Sequence, residues 1–507
     1  MKKFIQGAFI AFILSVSFSC KKDFPGLDVT NHNSPDINDV LADPSQYPNI
    51  LQSVYNKWWF YSTSMEVGDY RNGNMAHMAF NADIYTAGAG NWGLRDWTYQ
   101  TNIPKPPINN SDPSTGFNRD IWYNAYSMLH TARNIALMIN QNGKKLVSAG
   151  EDKTPLLLAN AYMQTGMVLG DIGLLFDKGF VITENSVTDN ISGDDLVPYT
   201  TIIDSALFYL DKSISICESN AGKDNFEGLM PNGFISTTDK LAQFANFYAA
   251  RLLAYKARTS DENKSADWTR VLNYAKKGIT EDMKVTLPDP LWYVGESLVL
   301  MSDRFGNNWY RVNQRIINMM ATPGDPGAVY PIPQSANNKL PKATSPDARL
   351  GTDFVYTPEI TTVSGGLTYP FPYNSFWQLN RFIDAAGPDP SGDFYIFLAE
   401  ERDLLEAEAL IRTNGDKNTA AALINKTRVN RGHLTALTAS SSNDEMLKAI
   451  FYERFVEISW TYPPAGFFDR RRTEFPEYQL APHSWTQLPV PFEELNIFNL
   501  PSYTFGG

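Results

Sequence analysis

The chain is short of the residues from which most enzymes build a reactive centre. Of its 507 residues only two are cysteine and five are histidine. His77, His130 and His433 show no ligand spacing with cysteine or with one another, so no metal site is supported. A Gly-x-Ser-x-Gly elbow, a phosphate-cradling glycine loop and paired zinc motifs are missing, and no cofactor is implied. Grouped positive charge is scarce as well. A formal net charge of −12 with acids and bases interspersed argues against nucleic acid as a partner, because phosphate binding needs clustered Lys and Arg. The one dense basic spot, Arg470, Arg471 and Arg472, is expected to pair with local carboxylates such as Asp469 and Glu474.

Beyond the leader no apolar run is long enough to cross a bilayer. The leader itself has Lys2 and Lys3, a predominantly apolar run from Ala8 to Phe18, the small Ser19, and then Cys20. That is the form of an export signal ending in a cysteine ready for lipid attachment. Stable anchoring needs more than one acyl chain, which a diacylglycerol thioether with an acylated amine supplies. Residues 1–19 therefore read as a signal peptide and Cys20 as the lipidation site, with the membrane as a partner through the anchor and not through a span. Residues 20–48, rich in Asn, Asp, Ser and Pro, read as a tether with too little apolar content to pack alone. With Cys20 committed to lipid, Cys217 has no disulfide partner. Its place on an apolar helical stripe predicts a buried, inert thiol.

From Asn49 onward helical periodicity dominates. Trp122, Tyr126, Leu129, Ala132, Ala136 and Ile139 make one face. The next helix is expected to start with Thr154 as cap and Pro155 in its first turn, and its Gly166, Gly170 and Gly173 allow another helix to approach closely. Further stripes run from Ile203 to Cys217, Leu241 to Leu252 and Trp268 to Ala275. Near the C-terminus Phe397, Leu404, Ala407 and Ile411 precede the break Asn414-Gly415-Asp416 and a second helix with Ala420, Leu423, Ile424 and Thr427. A helix, a tight turn and a helix in about 34 residues is the tetratricopeptide unit. The fold class is thus all-α dominated, a superhelix of degenerate tetratricopeptide (TPR) helix pairs with long loop-rich insertions bearing the ligand site. The expected organisation is a TPR-like part over 49–280 with an aromatic insertion at 63–117, a loop-rich insertion over 281–392, and a C-terminal helix pair with its following region over 393–507.

Carboxylates crowd Glu400, Glu401, Asp403, Glu406 and Glu408, but at consecutive helical positions they point all round the helix and are expected to form a solvated face. The positive signal is aromatic. Asp69, Asn74, Asp83, Trp92, Arg95 and Trp97 mix flat rings with amide, carboxylate and guanidinium groups, and Trp292, Tyr293, Trp309 and Trp377 punctuate the later insertion. Sugars use that mixture, stacking C–H faces on indoles while hydroxyls bond to Asp, Asn and Arg. Each of these aromatics can equally well serve to bury its loop against the scaffold.

Several segments resemble, in order and spacing, the SusD/RagB outer-membrane nutrient-binding lipoproteins of Bacteroidetes: Cys20 with Lys21, Lys22 and Asp23; Phe117 to Ile139 with Ala132-Arg133-Asn134; Ala161 to Phe176 with Gly170, Asp171 and Gly173; Phe397 to Gly432; Tyr452 to Glu457; Phe468-Asp469-Arg470; and Leu488 to Pro491 with Glu493 and Glu494. The resemblance implies a surface lipoprotein of the outer membrane that is not an enzyme and that captures glycan and delivers it to a TonB-dependent, SusC-like barrel. It implies a structural role for Glu453, Arg454 and Glu457, which at one-turn spacing can bridge a helix to the chain passing over it. Capture of oligopeptides is open to the same fold, and an α-helical glycoside hydrolase is the alternative from another class, needing two carboxylates opposed across a cleft.

Overall fold

In the computed structural model the described residues are 37–63, 74–87, 97, 104–110, 117–188, 190–292, 310–332, 340–358, 375–385, 391–461 and 465–506. The chain divides into two units, Met1–Gln46 and Tyr47–Gly507. The described part of the first is a short helix, Ile37–Ala42, and a single turn, Pro44–Gln46, at which Asp43 accepts hydrogen bonds from Ser45 N (2.9 Å) and Oγ (2.7 Å).

The second unit is built on antiparallel helix pairs of TPR type. Its principal helices are α1 (Tyr47–Thr63), α2 (Asn74–Asn81), α3 (Phe117–Asn140), α4 (Thr154–Leu175), α5 (Tyr199–Ser219), α6 (Thr238–Tyr255), α7 (Trp268–Ala275), α8 (Gln314–Met320), α9 (Ala399–Arg412), α10 (Lys417–Arg428), α11 (Asn443–Glu453) and α12 (Ala465–Arg472). Helices α3 to α6 pack in sequence, α7 lies on α6 and α9, and α9 to α11 follow as a second stack.

Helix α4 is the hub, buried on every side. Its glycines do what the spacing suggests. A Cβ on Gly166 would stand 2.7 Å from Leu210 Cγ and 2.9 Å from the backbone oxygen of Ala206; on Gly170 it would meet Leu252 at 2.7 Å, and on Gly173 Ile203 at 2.8 Å. Contacts that short do not occur between real side chains, so α5 and α6 can lie this close only against glycine. Asp171 ties three helices, accepting from Tyr248 Oη of α6 (2.5 Å) and Trp58 Nε1 of α1 (3.1 Å). The free carbonyls at the C-terminal end of α4 are taken by two buried cations, Arg258 Nη2 donating to Gly173 O and Phe176 O and Arg471 Nη1 to Leu174 O. At the other end the structure corrects the expected cap: Lys153 occupies the cap position, Pro155 the first turn, and Thr154 Oγ1 instead accepts from Leu146 N (2.9 Å). Cys217 is buried, and burial pushes its thiol pKa up to about 12.

The α9–α10 turn is a Schellman closure. Asn414 sits at φ 54°, its N–H donates to Ile411 O (3.2 Å) and Gly415 N–H reaches back to Leu410 O (2.7 Å), after which Asp416 caps α10 through Asn418 N (2.9 Å). Ser442 and Glu445 form a capping box for α11, whose end passes into a π-turn, Arg454–Ile458.

The acidic row on α9 is not a solvated face, contrary to expectation. Glu401, Asp403, Glu406 and Glu408 are all buried. Glu401 accepts from Arg251 Nε (2.8 Å) and Tyr255 Oη (2.9 Å), Asp403 from Lys426 Nζ (2.7 Å), and Glu408 from Arg454 (2.6 Å), Arg472 (2.8 Å) and Arg412 (2.8 Å). Arg402 of α9 itself pairs with Asp403 and Glu406, and Arg412 with Glu408, but Arg251, Tyr255, Lys426, Arg454 and Arg472 come from other elements and so are invisible to a reading of α9 alone. Arg349 likewise meets Glu453 (2.6 Å) and Glu457 (2.8 Å), while Arg381 adds a second bond to Glu457 (2.6 Å). The bridging expected of Glu453, Arg454 and Glu457 is therefore present. The Arg470–Arg472 cluster departs from its expected pairing: Arg472 holds Asp469 (2.5 Å), but Glu474 is taken by Arg412 (3.1 Å). Arg470 lies 3.9 Å from the Phe455 ring centre, and Arg471 donates to the carbonyls of Leu174, Thr486 and Tyr255. Successive helical positions point about 100° apart, so three neighbours find three environments.

Three antiparallel ribbons sit where helical stripes are scarce in the sequence: Tyr85–Ala87 with Tyr310–Val312, Phe354–Tyr356 with Trp377–Leu379, and Met283–Leu287 with Gly392–Phe397. The last brings Asp393 to Lys284 (2.5 Å) and Thr286 (2.7 Å), and carries the chain out toward Asp289.

Candidate functional site

The residues singled out from the sequence fall into three groups. Cys20, Asp69, Trp92, Arg95, Tyr293 and Trp309 lie outside the described residues, and Asn74 opens α2. Asp83, Trp97 and Trp377 are buried, packed or paired within the chain. Asp83, at φ 53° after α2, accepts from Lys105 Nζ (3.2 Å) and faces Arg315 Nη1 (3.5 Å). Burial lowers the Lys105 pKa to about 8, Asp83 opposing and the Arg315 and Arg470 charges adding to the shift. Trp97 packs edge-on against Trp485 (6.2 Å), and Trp377 is buried in its strand against Tyr356 (5.4 Å). A loop must bury some apolar surface to be held at all, and these rings supply it.

Trp292 borders a groove of about 420 Å³. One wall is the α5–α6 connection, where Phe226, Leu229, Met230 and Ile235 are joined by Glu227, Asn232 and Ser236; the other is Asp289, Leu291 and Trp292. The first wall is shaped by positive φ at Gly228 (75°), Asn232 (51°) and Gly233 (65°). It is pinned from three sides: Gln52 Nε2 of α1 donates to Gly228 O (2.6 Å), Asn225 Nδ2 to Ile235 O (2.8 Å), and Asn232 Nδ2 to Lys284 O (2.9 Å) and Thr286 Oγ1 (3.1 Å). In the second wall Asp289 Oδ1 accepts from Leu291 N (2.8 Å) and Trp292 N (3.1 Å), an Asx turn that fixes both residues. Trp292 is only 2% exposed and leans on Trp59 (6.5 Å), whereas Leu291 is 57% exposed at the groove's edge. The groove is thus a preformed, mainly apolar concavity at the small end of the usual ligand-site range of roughly 300–1,000 Å³.

The connecting loop 226–236 was not marked by sequence reasoning. Its signal was the turn cluster Gly228 and Pro231-Asn232-Gly233 between two helical stripes, which says that a turn exists and not that it encloses space.

The carboxylates bear on chemistry. An acid–base pair for glycoside cleavage must face across a cleft, with one member free to hold a proton. Glu408 is instead locked: burial pushes its pKa up, but Arg472, Arg454 and Arg412 outweigh burial and hold it well below the usual range. Glu457 is drawn down in the same way by Arg381, Arg349 and Arg431 against burial. Among the described residues no group of three or more His, Cys, Asp or Glu is placed to hold a metal ion, and no helix is long and apolar enough to cross a membrane.

No family model and no curated protein matches the sequence. Solved structures do match in fold. A SusD superfamily protein from Parabacteroides distasonis is 12% identical with a TM-score of 0.61, covering 90% of this chain and 98% of that one. A SusD-like carbohydrate-binding protein from Bacteroides fragilis is 12% identical with a TM-score of 0.55, covering 85% and 86%. An outer membrane protein of Bacteroides vulgatus, associated with nutrient binding, is 12% identical with a TM-score of 0.55, covering 89% and 93%. The chain shares the SusD-like helical fold over nearly its whole length.

Proposed function

We propose that this chain is a non-catalytic glycan-binding lipoprotein of the outer membrane, anchored at Cys20 on the cell surface, that passes its ligand to a TonB-dependent barrel. The observation that carries the reading is the whole-length correspondence with SusD-like folds, one of them a carbohydrate-binding protein. The export signal and Cys20 support the location, and the nutrient-binding neighbour of the outer membrane agrees with it. Glu408 of α9 and Glu457 of the π-turn, both held ionised by arginines, support binding without turnover, because an acid so held is a poor proton donor near neutral pH. The groove beside Trp292 is one part of the ligand surface in this reading. Asp69, Asn74, Trp92, Arg95, Tyr293 and Trp309 remain candidates for the rest of it.

Affinity electrophoresis through gels containing single polysaccharides tests the reading. Retardation by at least one polysaccharide, with no reducing ends released, is the expected result. Retardation by none, with saturable binding of oligopeptides, would replace glycan by peptide as the cargo. Labelled palmitate should enter the wild-type chain and not Cys20→Ala.

A further inference from the structure

The groove beside Trp292 has a definite electrostatic character. Its polar lining is richer in acceptors than in donors: the carboxylates of Glu227 and Asp289, Asn232, whose amide N–H groups are spent on Lys284 O and Thr286 Oγ1, and the hydroxyl of Ser236, which can accept or donate. Among its described lining residues none is basic. Asp289 Oδ1 is committed to the backbone N–H groups of Leu291 and Trp292, which holds the carboxylate in place with Oδ2 available to a hydroxyl. The apolar side offers Leu291 and Phe226 to a C–H face, since Trp292 is covered.

We infer that this groove is a subsite for an uncharged sugar residue and that it discriminates against uronic and sulfated sugars. The inference rests on the glycan-binding reading above and adds the charge class of the ligand. Hydroxyls are donors and meet acceptors here. A carboxylate or sulfate on the sugar would meet two negative charges with no compensating cation among the described lining residues, at a repulsion of roughly fivefold in affinity for each carboxylate within about 4 Å, weakened by salt. The volume suits a short segment or chain end, not a long polymer.

The test is calorimetric titration of the intact chain with neutral gluco- and manno-oligosaccharides of four to six residues and with matched oligogalacturonides. Neutral ligands should bind at least tenfold more tightly than the matched acidic ones, with the gap widening at low salt. In the Glu227→Lys, Asp289→Asn double variant the gap should shrink or invert, and Leu291→Ala, at an exposed position, should weaken neutral ligands several-fold. Equal or tighter binding of oligogalacturonides by the wild type, or a gap unmoved in the double variant, would overturn the charge rule while leaving glycan binding in place. Binding of neither series would overturn both.

Discussion

The α3–α6 stack and the α9–α12 stack solve one problem in opposite ways. Both must bring helices together without voids. The first does it by subtraction, with Gly166, Gly170 and Gly173 of α4 letting Leu210, Leu252 and Ile203 fill the space where side chains would stand. The second does it by addition, filling its interior with Glu408, Arg454, Arg472 and Asp469 in one cluster and Arg349, Glu453 and Glu457 in another. The two stacks share a helical architecture and differ in what chiefly fills the space between helices, although Asp171 and Arg251 show that the first also uses buried polar ties.

The sharpest way to break this contrast is to remove one brace. Arg454→Met leaves Glu408 and Asp469 buried with part of their charge unanswered, and should cost about 3–5 kcal/mol in chemical denaturation. A cost below about 1 kcal/mol would mean the cluster is not structural. On the other side, Gly166→Ala should cost about 1–3 kcal/mol, because the new methyl meets the backbone oxygen of Ala206, which cannot move aside. Gly170→Ala should cost less, since its neighbour is the flexible end of Leu252; the reverse order would show that close approach is not what these glycines provide.

A smaller effect tests whether charge inside the molecule is tuned outside the C-terminal stack. Burial lowers Lys105 from 10.5 to about 8, so between those values the unfolded chain binds more protons than the folded one. Stability should accordingly rise with pH from about 8 to 10.5, by at most about 1.4 kcal/mol per unit, relative to Lys105→Met. Parallel pH profiles for the two proteins would remove Lys105 as the cause. Smallest of all, Glu400 has its pKa raised by burial, and its Oε2 is buried with no hydrogen-bond partner among the described residues. Its charged form is disfavoured in the folded state, so its contribution falls as pH rises through the folded pKa. Glu400→Gln should raise Tm at pH 7 by about 1 °C and have no effect at pH 4.

The contrast also explains what could be read from the sequence. The α4 glycines and the Asn414-Gly415-Asp416 turn were legible because their cause is local: a small residue at helical spacing, or a left-handed position at a helix end. The acidic row on α9 was misread because burial is decided by Arg251, Lys426, Arg454 and Arg472, which lie on α6, α10, the π-turn and α12. Trp97, Trp292 and Trp377 show the same limit. An indole in a loop-rich stretch has one appearance in sequence whether it packs inward or faces a ligand; Trp97 packs on Trp485 and Trp377 on Tyr356, while Trp292 borders the groove. That groove depends on backbone conformations at Gly228, Asn232 and Gly233 and on hydrogen bonds from residues more than fifty positions away, which periodicity does not record.

The most direct trial of a frame that holds sugar and leaves it unchanged is to saturate the purified chain with a polysaccharide it retains, then recover the glycan and measure its mass distribution after prolonged incubation at pH 5 and pH 7. Saturable binding with the recovered chains at their starting length is the expected result. Shortened chains, in a preparation whose activity disappears with substitution of a single carboxylate, would show that one of these acids works and does not merely brace.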